Sequence, residues 1–245
     1  MGGRVWLTER EKMEMGLWYD ANYDVQLGEI RAEAKELCRQ LGLTPTTDTA
    51  ECERILRKLL PNMGRDVSIL APFIVDYGFN CFIGDHSFIN HGAYLMDCAP
   101  IRLGSHCFVG PSCGMYTAIH PLLAAERNTG LEKCAPIVIG DNVWIGGNVT
   151  ILPGVTIGAG SVIGAGSVVL KNLPANCTAV GVPAEVVRIN NKAINPADDL
   201  DQQDLPDIMA QRLVDLDRRI GQLEKAAQGD IPPTAQQVAA RQRKH

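Results

Sequence analysis

The chain has 245 residues and a formal net charge of −5, and its basic residues are not gathered into one run, which argues against a nucleic-acid or membrane-surface partner. It contains no apolar run of about 18 residues that could cross a bilayer, and Arg4, Glu9, Arg10 and Glu11 leave no signal-peptide pattern at the N-terminus. The expectation is a soluble, cytoplasmic protein, and with no Cys-x-x-Cys pair among its eight cysteines no metal site is predicted.

Residues 1–62 read as an N-terminal helical segment. Thr8 followed by Glu11 is a capping box ahead of Met13, Met15, Leu17 and Trp18. Leu27, Ile30, Ala34, Leu37 and Leu41 keep three- and four-residue spacing and stop before Gly42 and Pro45, which predicts a second helix. A third begins near Asp48, with Glu51 three residues on, and ends at Pro61.

Residues 63–194 follow a different rule. Val67, Ile69, Phe73 and Val75 alternate as a strand does, and then an aliphatic residue returns at every sixth position: Ile83, Ile89 and Leu95, then Leu103, Val109 and Met115, with two extra residues near Cys98 to Ile101. The period is cleanest in Ile139, Ile145, Ile151, Ile157, Ile163 and Val169, with Gly140, Gly146, Gly158 and Gly164 after four of them. Neither an amphipathic helix nor one long strand has that period. Six residues fit a short strand plus a corner, where glycine would supply a positive φ, and three such units make one triangular coil of about 18 residues. Stacked coils bury what a single coil cannot. Cys107 and Cys113 fall in the small inward slot and act as small hydrophobes.

Between Met115 and Ile139 the pattern breaks, and residues 116–136 read as a loop thrown out of one coil; His120 lies in it. Gly181-Val182-Pro183-Ala184 ends the stack. Residues 195–245 are read as a linker, a helix and a disordered tail from 228 onward. Met209, Leu213, Leu216, Ile220, Leu223 and Ala227 alternate spacings of four and three, a heptad seam. Two readings of it stand: a short coiled coil extending an oligomer axis, or an amphipathic helix folded back on the repeats.

Ile-Gly-Asp-Asn-Val-Trp-Ile-Gly-Gly (139–147), Tyr-Thr-Ala-Ile-His-Pro (116–121), Glu-Arg-Asn-Thr-Gly-Leu-Glu (126–132) and Gly-Val-Pro-Ala (181–184) resemble the maltose and galactoside O-acetyltransferases, which are hexapeptide-repeat acyltransferases. The resemblance covers about residues 5–190. It implies a left-handed parallel β-helix with N-terminal and C-terminal helices, a homotrimer with sites between subunits, acetyl-CoA as co-substrate and a small sugar acceptor such as maltose, glucose or a galactoside. It makes His120 the catalytic base and places Asp20, Asn90, Asp97 and Glu132 at the acceptor. For acetyl-CoA it points to Trp144, Gly146, Gly147 and Ala165 along the pantetheine arm, with Lys171 and Arg188 toward the nucleotide. Where relatives carry Arg after Gly-Val-Pro-Ala this chain has Glu185, and where they often carry Ser it has Gly147.

The chemistry fits these residue types. An alcohol becomes a nucleophile only when a base within hydrogen-bond reach removes its proton, and histidine is the side chain best suited to that near neutral pH. A backbone N–H near Gly146 or Gly147 would stabilise the oxyanion. Three other readings stand beside this one: an acetyltransferase for a non-sugar or xenobiotic acceptor, a non-catalytic β-helix scaffold, and a metal-dependent trimer using His86, His91, His106 or His120.

Overall fold

In the computed structural model, residues 6–190, 192–193 and 208–229 are described. The chain divides into two compact units, Met1–Leu205 and Pro206–His245.

The three predicted helices are present. α1 (Glu9–Glu14) carries the full capping box of Thr8 and Glu11, but it is short: Gly16 takes φ 67°, the chain turns, and Met15, Leu17 and Trp18 stay exposed while Met13 is buried. α2 (Val25–Leu43) starts from an Asp24 cap and runs through Gly42, burying Leu27, Ala34, Leu37, Cys38 and Leu41. α3 (Thr49–Leu59) starts from Asp48, whose carboxylate accepts the N–H of Glu51. Ala34, Leu37, Cys38 and Leu41 of α2 and Ile55, Leu56 and Leu59 of α3 join the same core as the first coils.

The period of six becomes a parallel β-helix with three faces. One face stacks Asn62–Met63, Cys81–Ile83, Ile101–Leu103, Ile137–Ile139 and Thr156–Ile157. A second stacks Ser68–Ile69, Phe88–Ile89, Phe108–Val109, Trp144–Ile145, Val162–Ile163 and Cys177–Val180. The third stacks Phe73–Val75, Ala93–Met96, Gly114–Tyr116, Thr150–Ile151 and Val168–Val169. Register pairs equivalent aliphatics directly, as in Met63, Ile83, Leu103, Ile139 and Ile157, so each ladder points into one continuous core. Each such side chain contributes roughly 1.5–3 kcal/mol by burial. At the C-terminal end the turn at 181–184 sends Glu185–Ile189 back antiparallel to Cys177–Val180.

The repeat glycines serve a purpose other than the predicted one. Gly140 and Gly146 are not in the left-handed region; instead a Cβ at either would lie 2.6 Å from the backbone N of Ala159 or Ala165 in the next coil. They are glycine because stacked backbones approach closely there. The left-handed corners come two residues later and use Asn142 (φ 56°) and Asn148 (φ 58°), then glycine as expected at Gly154 (φ 80°), Gly160 (φ 71°) and Gly166 (φ 72°), with His86 (φ 58°) and His106 (φ 55°) at equivalent turns lower in the stack.

The extra residues collect at one corner. Register sets Ile83 opposite Leu103 but Ile145 opposite Ile163, so the early coils carry two residues more than the regular ones. The surplus sits around Asp76–Asn80 and Asp97–Pro100, and the 116–136 insertion leaves the next coil just after Tyr116.

The second unit is described by α5 (Ile208–Gly229), a helix that includes positions 228 and 229 of the predicted tail. Residues 195–207 and 230–245, predicted as linker and tail, lie outside the described residues.

Candidate functional site

The 116–136 segment is not an irregular loop. Ala118–Ile119 and Leu131–Cys134 pair antiparallel, α4 (Ala124–Arg127) fills the bend, and Tyr19–Asp20 adds a third strand from the N-terminal segment. This small sheet presents His120 at its edge, with 53% of its side chain exposed and Pro121 buried behind it. His120 Nε2 lies 3.7 Å from Glu132 Oε2, a separation that substrate binding can close to a hydrogen bond. Glu132 has only 10% of its side chain exposed, and the Tyr19 hydroxyl donates to its other oxygen, Oε1.

Tyr19 is fully buried, and burial, followed by the neighbouring Cys98 and Glu132, pushes its phenol far up, so it remains a donor. Burial and Glu132 likewise push the Cys98 thiol up, and burial pushes Cys134 up to about 12. The carboxylate of Glu132 is therefore held from behind by neutral hydrogen-bonding groups, leaving one oxygen toward the imidazole. The resemblance named His120 and Glu132 but neither Tyr19 nor Cys98.

Asp20 sits on the strand beside Glu132, since Tyr19 pairs with Glu132 and Asp20 with Leu131. Its carboxylate accepts the N–H groups of Asn22 and Tyr23 and so closes a turn, while the side of the residue stays half-buried. Asp97 is not an acceptor contact in this structure. It is 0% exposed and its carboxylate accepts from three backbone amides, Asp76 at 3.0 Å, Tyr77 at 2.8 Å and Asn80 at 3.2 Å. It fastens the widened corner of one coil to the next, directly beneath the inserted segment. Replacing Asp97 by alanine is expected to lower the melting temperature strongly, because each orphaned buried amide costs about 1–3 kcal/mol. The KM for acceptor should be unchanged below the melting transition, which steady-state kinetics beside a thermal melt would check.

On the second β-helix face lies a groove of about 980 Å³. Phe88, Phe108, Trp144 and Val162 line it with apolar surface, and Gly146, Gly147 and Ala165 line it beside them. Five of the residues predicted for acetyl-CoA, Trp144, Gly146, Gly147, Ala165 and Arg188, line it, and so does Asn90. Lys171 does not; it is exposed just past Leu170 and outside the lining. Asn90 is not left-handed, and its Oδ1 accepts the N–H of His91. The groove suits an extended, largely apolar arm with a charged end: aromatic rings and glycine backbone line its length, and Arg188 offers a guanidinium. No residue of the 116–136 segment lines it, so within one chain His120 does not border the groove.

The other histidines among the described residues are engaged elsewhere in the stack. His86 and His106 stack ring on ring at 4.9 Å, and His91 Nδ1 faces the carbonyl of Ala71. Among the described residues no three His, Cys, Asp or Glu side chains are grouped to hold a metal ion, and no helix is long and apolar enough to cross a membrane.

Residues 12–64 match the maltose acetyltransferase hexapeptide capping motif, and residues 136–171 match the bacterial transferase hexapeptide of six repeats. A maltose O-acetyltransferase from Clostridium difficile 630 is 41% identical, with a TM-score of 0.73 over 77% of this chain and 98% of that one. A hexapeptide-repeat acetyltransferase from Vibrio cholerae O1 biovar eltor, solved with acetyl coenzyme A, is 39% identical, with a TM-score of 0.70 over 75% of this chain and 98% of that one. A galactoside acetyltransferase solved with coenzyme A is 30% identical, with a TM-score of 0.72 over 82% of this chain and 97% of that one.

Proposed function

Since this chain belongs to the hexapeptide-repeat acetyltransferases of the maltose and galactoside O-acetyltransferase family, with acetyl-CoA as its acetyl donor, we propose that its acceptor is a sugar hydroxyl and that His120 is the general base. The observation that carries this reading is the exposed imidazole of His120 backed by the buried Glu132 and Tyr19.

In this reading the imidazole takes the proton of the acceptor hydroxyl as the oxygen attacks the thioester carbonyl, and the CoA thiolate leaves. Glu132 fixes the ring and offers its carboxylate to the imidazolium formed during transfer. The N–H of Gly146 already donates to the Ile163 carbonyl, which leaves the N–H of Gly147 to stabilise the oxyanion. Transfer is direct, because the thiols beside Glu132, Cys98 and Cys134, are buried with their pKa values raised and offer no nucleophilic thiolate. That His120 does not border the groove of its own chain supports an assembly, a homotrimer, in which His120 of one chain works at the groove of the next.

Two tests follow. Mass spectrometry of reactions with maltose, glucose, a galactoside and a non-sugar alcohol is expected to give mono-acetylated sugar and no acetylated protein; acetylation of the non-sugar alone would overturn the sugar assignment. Tyr19→Phe removes one hydroxyl without changing the packing. It is expected to lower kcat about tenfold or more, since a hydrogen bond to a carboxylate is worth about 1.5–3 kcal/mol, while the KM for acetyl-CoA is unchanged.

A further inference from the structure

Leu213, Leu216, Ile220 and Leu223 of α5 are 64%, 49%, 52% and 70% exposed, a continuous apolar seam on a helix of 22 residues. Met209 and Ala227 continue its spacing in the sequence, though their side chains lie outside the described residues. A row of exposed aliphatics at alternating spacings of three and four calls for a partner helix. What identifies the partner is the charge beside the seam.

With Leu213 and Ile220 at the a positions, Leu216 and Leu223 fall at d, Arg212 and Arg219 at g, and Asp217 and Glu224 at e. Both g positions are basic and both e positions acidic. When two such helices run parallel, each g residue faces the e residue of the following heptad on the neighbouring helix, so Arg212 meets Asp217 and Arg219 meets Glu224. An antiparallel pair would set arginine against arginine and acid against acid. The pattern is therefore self-complementary in one orientation only. The ion pair of Arg218 with Asp215, at 2.7 Å, lies within one chain on the opposite, solvated face.

We propose that Ile208–Gly229 forms a parallel coiled coil with the same helix of other copies of this chain, with Leu213, Leu216, Ile220 and Leu223 buried in its seam and Arg219 paired across it with Glu224. The proposal rests on the reading that the enzyme is an assembly of copies. The coil holds those copies together through residues that belong neither to the β-helix nor to the 116–136 segment or the groove.

The test uses the full chain. Leu223→Cys at the seam and Val214→Cys on the outer face are oxidised mildly and run on a denaturing, non-reducing gel, with light scattering on the same samples. The expected result is covalently linked chains for Leu223→Cys and not for Val214→Cys. Adding Arg219→Glu, which sets acid against acid, should abolish the link, and adding Glu224→Arg to that variant should restore it. Oligomers whose Leu223→Cys links no better than Val214→Cys, or whose link ignores the charge reversal, overturn the coiled coil alone. A single-chain mass by light scattering overturns both the coil and the shared-site reading.

Discussion

Replacing His120 by alanine is expected to lower kcat for acetyl transfer by about 10²–10⁴-fold, the range that a positioned general base contributes, with the KM for acetyl-CoA unchanged. The side chain is half exposed at the edge of its small sheet, so its removal leaves no cavity and the melting temperature should not move. The groove lies on other residues, which is why binding of the donor should survive. Among the described residues no other histidine is placed to take over: His86 and His106 are stacked on each other at their corners and His91 faces a backbone carbonyl. Steady-state kinetics with saturating acceptor, beside a thermal melt, would check both halves of this expectation.

The largest effect on stability is expected at the ladder beneath the groove. Ile145 is 0% exposed and pairs in register with Val109 below and Ile163 above. Cutting it to alanine removes aliphatic carbons from a stack whose backbones are already in contact, as the closeness of Gly146 to Ala165 shows, so neighbouring coils cannot collapse into the void. The expected cost is about 2–5 kcal/mol, read as a fall in the midpoint of chemical denaturation. Thr156→Ala, on an outward position of its strand, should stay within about 0.5 kcal/mol of the parent. Equal effects at the two sites would mean that the aliphatic ladder is not what holds the coils together.

The ladder was legible in the sequence because burial in a β-helix is a local, periodic property: each inward aliphatic can be found by counting six from the last. The caps of Thr8 and Asp48 were legible for the same reason. Where a reading depended on what the next coil brings, it failed. The glycines directly after the aliphatics were read as left-handed corners, yet Gly140 and Gly146 are needed for close approach; the left-handed corners lie two residues on, where Asn142, Asn148 and His106 share the task with Gly154, Gly160 and Gly166. The resemblance placed Asp97 at the acceptor, while the amides that consume its carboxylate belong to the preceding coil. Lys171 was placed near the nucleotide and lies outside the groove. The role of Tyr19 was invisible, since its partner Glu132 is 113 residues away and the strands that bring them together are too short to show a pattern. The inserted segment concealed its hairpin for the same reason.

The most direct test of the account is the release of free thiol from acetyl-CoA with and without each sugar, measured on the parent and on His120→Ala side by side. The account predicts release that depends on the sugar in the parent and is nearly lost in a variant that still folds and still binds CoA. Release at the parental rate from His120→Ala, or release by the parent that is indifferent to every sugar, would contradict it.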